Sequence, residues 1–562
     1  MYTYESILKR LECFVLRLYP RQIADADHPA HGAFISTDPG CPTPTHTGHV
    51  HDLACACYAL LADGSLRGDP ELFERICHGI AFQKRWQRPS GLIDGIASNW
   101  ESPNATAFTV QLLAPVVGMA RRNAREGNTE ADRIADELGT YIHTAARAIG
   151  GRGFHTPNHR WVICSALAQA MVLFPDLAAT EYIESILAEG VDIDADGQFS
   201  ERSPGIYSAA CDRALRLMAD HLNRPELLEP VRRNLDLMVH LFHPDWTVET
   251  GMSARQDRGR RLIPFGIADS FFDMARRDRN TVWATVADEL ADRADDAPPF
   301  VWLLHPFVAH SEYRVDSLER TPIPEDFSRH FPTAGIWRVK RGNLSATAIG
   351  GRDSQFSVRW GEVELKSVKI GETYYKTSSF ETDIFTPCDS GVNLVHRGTK
   401  TRQRNFDLPL GRPVPFDAFY AVQSERQHLA LPPFDIDLEI REVEGGFDLV
   451  LRTQGALDRI TFQIECCFQG PGTWETDDQA IQVQDGQSAI LKRGCGTFHR
   501  GERGIRIGPG ASAHRMWQMR GTEPATDGFR VLIPLQTPVD HLFQIRCGTW
   551  STATGELLPG SF

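Results

Sequence analysis

The chain is 562 residues long, 42% hydrophobic, 9% aromatic and 23% charged, with ample apolar material for large cores, which excludes disordered, collagen-like and coiled-coil classes. Lys and Arg number 59 against 73 Asp and Glu, a net charge of −14, so no global basic field exists to hold a polyanion by counterion release. Nucleic acid is therefore excluded as the expected partner.

The chain opens on an amphipathic helix, in which Glu5, Lys9, Arg10, Glu12 and Arg17 interrupt apolar residues at helical spacing. No secretory signal or apolar run of membrane length is visible, which predicts a cytoplasmic protein with no membrane partner. Twelve cysteines are scattered from Cys13 to Cys547 without a CxxC pair, as reduced and mostly buried thiols would be. Up to about residue 315 the texture is helical, with apolar residues at i, i+3 and i+4 in stretches such as 107–124 and 212–222. After Thr321-Pro322-Ile323-Pro324 it changes to period-two runs at 335–342, 356–371, 434–455 and 459–470, with Glu444-Gly445-Gly446 as a hairpin turn. Two domains follow, an all-α domain over 1–325 and an antiparallel β-sandwich over 326–562.

Three helix starts in the first domain share a hydroxyl cap followed by proline: Ser102-Pro103-Asn104, Thr156-Pro157-Asn158 and Ser203-Pro204-Gly205. They lie roughly fifty residues apart, the length of two helices and two loops. The same step backwards reaches His46-Thr47-Gly48-His49, and forwards Thr250-Gly251-Met252-Ser253. Alternate helices of an up-and-down array begin at one end, so these starts share a rim, and in a closed toroid they surround its mouth. Aligned helix N-termini there would favour an anionic ligand.

Asn158 and His159 fall in the first turn of the third start, where an amide and an imidazole point out of the rim. After the Asp196-Gly197 turn, Tyr207 stands about one turn into the fourth helix at nearly the same phase, beside Glu201. The fifth start carries four arginines in the seven residues from Arg255 to Arg261, a candidate carboxylate clamp with Arg255 and Gln256 foremost. His49 and His51 at the first start, and Asn104 at the second, are candidate hydrogen-bonding partners of a substrate. His49-Val50-His51 lacks a second spaced pair of ligands, so neither a metal nor any other cofactor is expected. Trp100, Trp161, Phe199 and Trp246 accompany the starts and would serve as stacking platforms for sugar rings.

Asn158-His159-x-Trp161, then Asp196-Gly197-x5-Ser203-x3-Tyr207, followed by a sandwich half, resembles the heparinase II/III-like group of polysaccharide lyases, which includes the oligoalginate lyases. The resemblance implies an (α/α) toroid and a β-sandwich around a cleft for uronic-acid polymers, and β-elimination at a uronate that leaves a 4,5-unsaturated product. Asn158 would neutralise the carboxylate, helped by Arg255 and Gln256; His159 or Tyr207 would take the C5 proton; Tyr207 would protonate the leaving O4. The group commonly carries another histidine ahead of a Ser-Phe strand; the similar stretch 350–358 has Arg352 near that position, with His396 as an alternative. The expected substrate is a uronic-acid oligosaccharide, attacked from a chain end, and a loop from Asp25 to Thr47 capping the cleft would favour that mode. A glycoside hydrolase of the same toroid would instead need two carboxylates, for which Asp94, Glu101, Glu201 and Glu249 are available. A non-catalytic carbohydrate-binding protein would use the same tryptophans.

Overall fold

The computed structural model describes residues 2–35, 40–95, 98–294, 299–315, 318–373, 380–398, 407–427, 432–455, 458–517, 519 and 527–560. They fall into two compact units, Met1–Ile323 and Pro324–Phe562.

The first unit contains, among the described residues, twelve α-helices: α1 (Tyr4–Leu18), α2 (His49–Leu61), α3 (Pro70–Trp86), α4 (Pro103–Arg125), α5 (Thr129–Ile149), α6 (Pro157–Leu173), α7 (Thr180–Leu187), α8 (Tyr207–His221), α9 (Leu228–Leu241), α10 (Ala268–Asp278), α11 (Thr281–Arg293) and α12 (Phe300–Ala309). The even-numbered helices form a ring in which each packs on the next and α12 packs back on α2. The odd-numbered helices stand outside it, giving an (α/α) toroid of helical hairpins. The two layers differ in sequence for a physical reason. Inner α6 is buried almost all round, from Arg160 to Ala170. Outer α5 buries one stripe, including Ile134, Leu138, Tyr141 and Ile142, and sets Glu130 and Arg147 at the ends that its dipole favours. Tyr2 joins the two ends of the ring: its hydroxyl donates to Leu303 O at 2.6 Å and its ring packs 4.2 Å from Phe272.

Three details of the sequence reading are corrected. A hairpin of β1 (Ile93–Gly95) and β2 (Asn99–Ser102) interrupts the helical half, and Ser102 ends β2 while capping α4. Ser203-Pro204 does not start α8, which begins at Tyr207, because the Ser203 hydroxyl bonds Asp257 and the intervening residues form a turn. Thr250–Ser253 starts no helix: Thr250 bonds Arg260 O, Ser253 bonds Asp257, and this polar loop runs on well ahead of α10.

Among the described residues the second unit holds two sheets. In the eight-stranded one, 326–331, 336–341, 344–349, 354–360 and 363–372 run as a meander, followed in space by 461–468, 529–536 and 488–490. The larger sheet is centred on the hairpin 434–443/446–455, whose turn is Glu444-Gly445 with Gly445 at φ +71°. Phe356 of one sheet meets Phe447 of the other at 4.9 Å, within a core that also buries Trp337, Leu438 and Ile464. Among the described residues all pairings are antiparallel except that of 488–490 with 529–536, a departure from a purely antiparallel sandwich. No helix among the described residues is long and apolar enough to cross a membrane.

Candidate active site

The toroid has a cleft of about 570 Å³ at the end where the inner helices begin. Thr43, Thr45 and His46 of the loop before α2, Ser102, Asn104 and Phe108 at the start of α4, His155 and His159 at α6, Tyr207 at α8, and Arg255 and Gln256 of the polar loop line it. Residues 36–39 of the loop 25–47 lie outside the described residues. Among the described residues no Asp or Glu lines the cleft, while Arg255 contributes a positive charge.

The His46 and His159 imidazoles of this cleft are neutral. Burial, with the nearby His155 and Arg255, lowers His159 to about 4. Burial, then His51, His159 and Arg213, lowers His46 to about 3. The His46 ring stacks on Phe108 at 4.1 Å, and His155 meets His159 edge-on at 4.6 Å. Nδ1 of His159 is enclosed without a hydrogen-bond partner. An enclosed N–H without an acceptor costs more than an enclosed lone pair, so the proton sits on Nε2, where His159 offers a donor to the cleft.

Tyr207 opens α8 and its amide bonds Ser203 O at 3.1 Å. The Arg255 guanidinium lies over its ring at 4.6 Å and reaches Glu201 Oε1 at 3.3 Å. Burial would lower the Arg255 pKa, yet contact with Tyr207 and the charge of Glu201 hold it above its ordinary value. Asp257 fastens the two loops that carry these groups: it accepts from the Ser203 hydroxyl at 2.9 Å, from Gly205 N at 3.0 Å and from the Ser253 hydroxyl at 2.5 Å. Gly205 is required there, because a Cβ would approach Asp257 Oδ2 to 2.9 Å. Asn158 sits one layer behind the cleft, fully buried, donating to Glu201 Oε2 from its backbone N at 3.1 Å and its side-chain nitrogen at 2.6 Å. Its amide is therefore occupied by Glu201. Asn104 takes the position at the cleft surface that the sequence reading gave to Asn158; its Oδ1 is enclosed without a partner, leaving its amino group toward the open space.

Asn104, His159, Tyr207, Arg255 and Gln256 thus converge, with Glu201 and Asn158 behind them. Other residues singled out in the sequence are elsewhere. His49 is a core residue whose Nδ1 accepts from Phe34 N at 3.0 Å and whose Nε2 donates to Gly79 O at 3.0 Å. His51 pairs with Asp52 at 3.2 Å. Trp161 is fully buried and its indole N–H donates to Asp192 at 2.7 Å; Phe199 is buried as well. Trp246 packs against Phe242 and Arg293, and Trp100 is 72% exposed on β2. None of these lines the cleft; its aromatic wall is Phe108. Asp94 is bound to Arg88, Glu101 accepts from Ser90, and Glu249 lies 3.9 Å from His243; none of the three lines it. Of the first start's histidines only His46 lines the cleft; His155 is the addition, standing just before a helix start, where no periodic signal marks a functional side chain. Among the described residues no group of three or more His, Cys, Asp or Glu is placed to hold a metal ion. In the second unit His396 is buried and paired with Asp383, and Arg352 O accepts from the Gln355 side chain.

No protein-family model matches the chain, and no curated protein matches it in sequence. Solved structures do match. The Streptomyces coelicolor A3 chondroitin AC lyase in complex with chondroitin sulphate is 13% identical with a TM-score of 0.54, over 97% of this chain and 80% of that one. A Paenibacillus xanthan lyase is 11% identical with a TM-score of 0.52, over 97% of this chain and 56% of that one. A heparinase III is 12% identical with a TM-score of 0.49, over 89% and 76%. What this chain shares with the first two is its fold, the α/α toroid followed by a domain of antiparallel sheets that is found in polysaccharide lyases.

Proposed function

We propose that this chain is a polysaccharide lyase that cleaves a glycosidic bond at a uronic acid by β-elimination. The observation that carries the reading is the cleft in which a phenol, a guanidinium, imidazoles and a side-chain amide converge with no carboxylate among the described residues that line it. That lining suits an anionic sugar and leaves a hydrolase without the acid pair its chemistry needs. The fold shared with a chondroitin AC lyase and a xanthan lyase supports it.

Elimination requires that the uronate carboxylate be neutralised so that the C5 proton becomes removable. Arg255, Gln256, Asn104 and the Nε2–H of His159 supply donors for it. Asn158 acts through Glu201, holding the carboxylate that orients Arg255. Tyr207, as phenolate, takes the C5 proton, and as phenol returns it to the departing O4, with Arg255 beside the ring supporting the transient negative charge. The C4–O4 bond breaks and the C4–C5 double bond forms. Because the loop before α2 walls one side of the cleft, the substrate is an oligosaccharide entered from a chain end.

The test is absorbance of the conjugated 4,5-unsaturated uronate on a panel of uronic-acid oligosaccharides, beside a reducing-sugar assay. Absorbance that grows with the wild type and vanishes with Tyr207→Phe is expected. New reducing ends without absorbance would replace elimination by hydrolysis.

A further inference from the structure

We propose that the toroid carries a second ligand site at the end opposite the cleft, taking a small hydroxylated organic anion of the class of a sugar acid or a sugar phosphate. The site is a cavity of about 600 Å³ where the C-terminal ends of α6, α8 and α12 come together. That volume suits a small molecule and is more than an inorganic ion needs.

His305 gives the first argument. It lines this cavity, is 9% exposed, and makes no hydrogen bond among the described residues; its Nδ1 is enclosed without a partner. Buried imidazoles normally use both nitrogens, as His49 does. With Nδ1 enclosed, the proton belongs on Nε2, which makes His305 an N–H donor aimed into the cavity. Burial above all, then the neighbouring His221 and Arg216, lowers His305 to about 3, so it remains a neutral donor at physiological pH.

The charges decide the sign of the ligand. Among the described residues Asp220 is the one acid lining the cavity, and it is consumed by Arg277, which donates to it at 3.0 and 2.8 Å. Arg122 lines the same cavity and has no ion pair or hydrogen bond among the described residues. A cation is left over and no carboxylate is. Helix C-termini oppose an anion, but here their carbonyls are partly occupied: Leu173 O accepts from Arg121 and Leu217 O from His221 Nδ1, both at 2.7 Å. Since a carbonyl only accepts, His221 Nδ1 is the donor, and its Nε2 is left as a polar atom that a hydroxyl on the ligand can pair with. Pro115, Val172 and Leu228 supply apolar surface for its body.

The experiment is calorimetric titration of the full chain with glucuronate, glucose 6-phosphate, inorganic phosphate and glucose, using wild type, Arg122→Ala and Arg255→Ala. Arg122 is exposed, so its variant should melt as the wild type does without ligand. Expected is one equivalent of an organic anion bound at least tenfold more tightly than glucose or inorganic phosphate, weakened at least tenfold by Arg122→Ala and unchanged by Arg255→Ala. Binding lost with Arg255→Ala but kept with Arg122→Ala would put the anion in the cleft and overturn the proposal. So would glucose or phosphate binding as well as the organic anions, or no heat from any of the four. None of these outcomes bears on whether the cleft performs elimination.

Discussion

Arg255 stands between Tyr207 and Glu201, 4.6 Å from the centre of the phenol ring on one side and 3.3 Å from a carboxylate oxygen on the other. Glu201 in turn holds Asn158, so a phenol, a guanidinium, a carboxylate and an amide form one connected set drawn from α8, the polar loop, the turn before α8 and α6.

Glu201→Gln keeps an acceptor for Asn158 but removes the charge that orients Arg255. The expected result is a fall in kcat/KM of about 10- to 100-fold and a loss of about 1.5–3 kcal/mol in stability, the range for buried hydrogen bonds to a charged group. Steady-state kinetics and urea unfolding check both. Undiminished kcat/KM would separate Glu201 from the positioning of Arg255.

His159 is expected to act as a donor through Nε2, so His159→Gln, which keeps an amide N–H near that point, should retain about a tenth or more of kcat where His159→Ala loses about 10²-fold. Because the histidine is neutral down to about pH 4, kcat/KM should show no inflection near pH 6.5. An inflection there, with both variants equally dead, would make His159 the base instead.

His49 titrates at about 4, lowered by burial and only partly restored by its bond to Gly79 O. Its folded pKa is below the unfolded value, so its contribution to stability is complete above about pH 6.5 and is lost as pH falls toward 4, at about 1.4 kcal/mol per pH unit. His49→Gln should be less stable at pH 7 yet decline less steeply across that window in a urea unfolding series. An identical slope would show that His49 already takes up its proton in the folded state.

Both carboxylate oxygens of Asp212 are enclosed in the toroid without a hydrogen-bond partner, and burial pushes its pKa well up. A folded pKa above the unfolded one gives stability that is full below about pH 4 and lost as pH rises. Asp212→Asn should therefore stabilise the chain at pH 7 by about 1–3 kcal/mol and make no gain at pH 4. Thermal melts at the two values decide it; destabilisation at pH 7 would reveal a charged Asp212.

The sequence was most legible where structure is local. Ser102-Pro103 and Thr156-Pro157 do open α4 and α6, through the capping bond of Ser102 to Ala105 N in the first case and through Pro157, without a capping bond from Thr156, in the second. Gly197, at φ +95° with Arg233 O only 2.1 Å from where a Cβ would be, is the turn glycine that Asp196-Gly197 announced. Ser203-Pro204 does not open a helix because its hydroxyl bonds Asp257, a partner distant in the chain and invisible to spacing, and Thr250–Ser253 does not because its polar side chains bond within their own loop. Trp161 was misread for a related reason: an aromatic beside a rim can face inward, and only packing shows that it does. Asn158 and Asn104 exchange places in the same way, one drawn back by Glu201 and the other left at the surface.

The contact between Tyr2 and Leu303 spans nearly the whole helical unit. Every described residue that lines the cleft precedes position 257, so a nascent chain has emitted this candidate chemistry long before α12 exists to close the circle. Such long-range closure is slow compared with helix formation. A truncated chain ending just after Arg261 would contain every described residue of the cleft and, with its ring left open, is expected to be inactive.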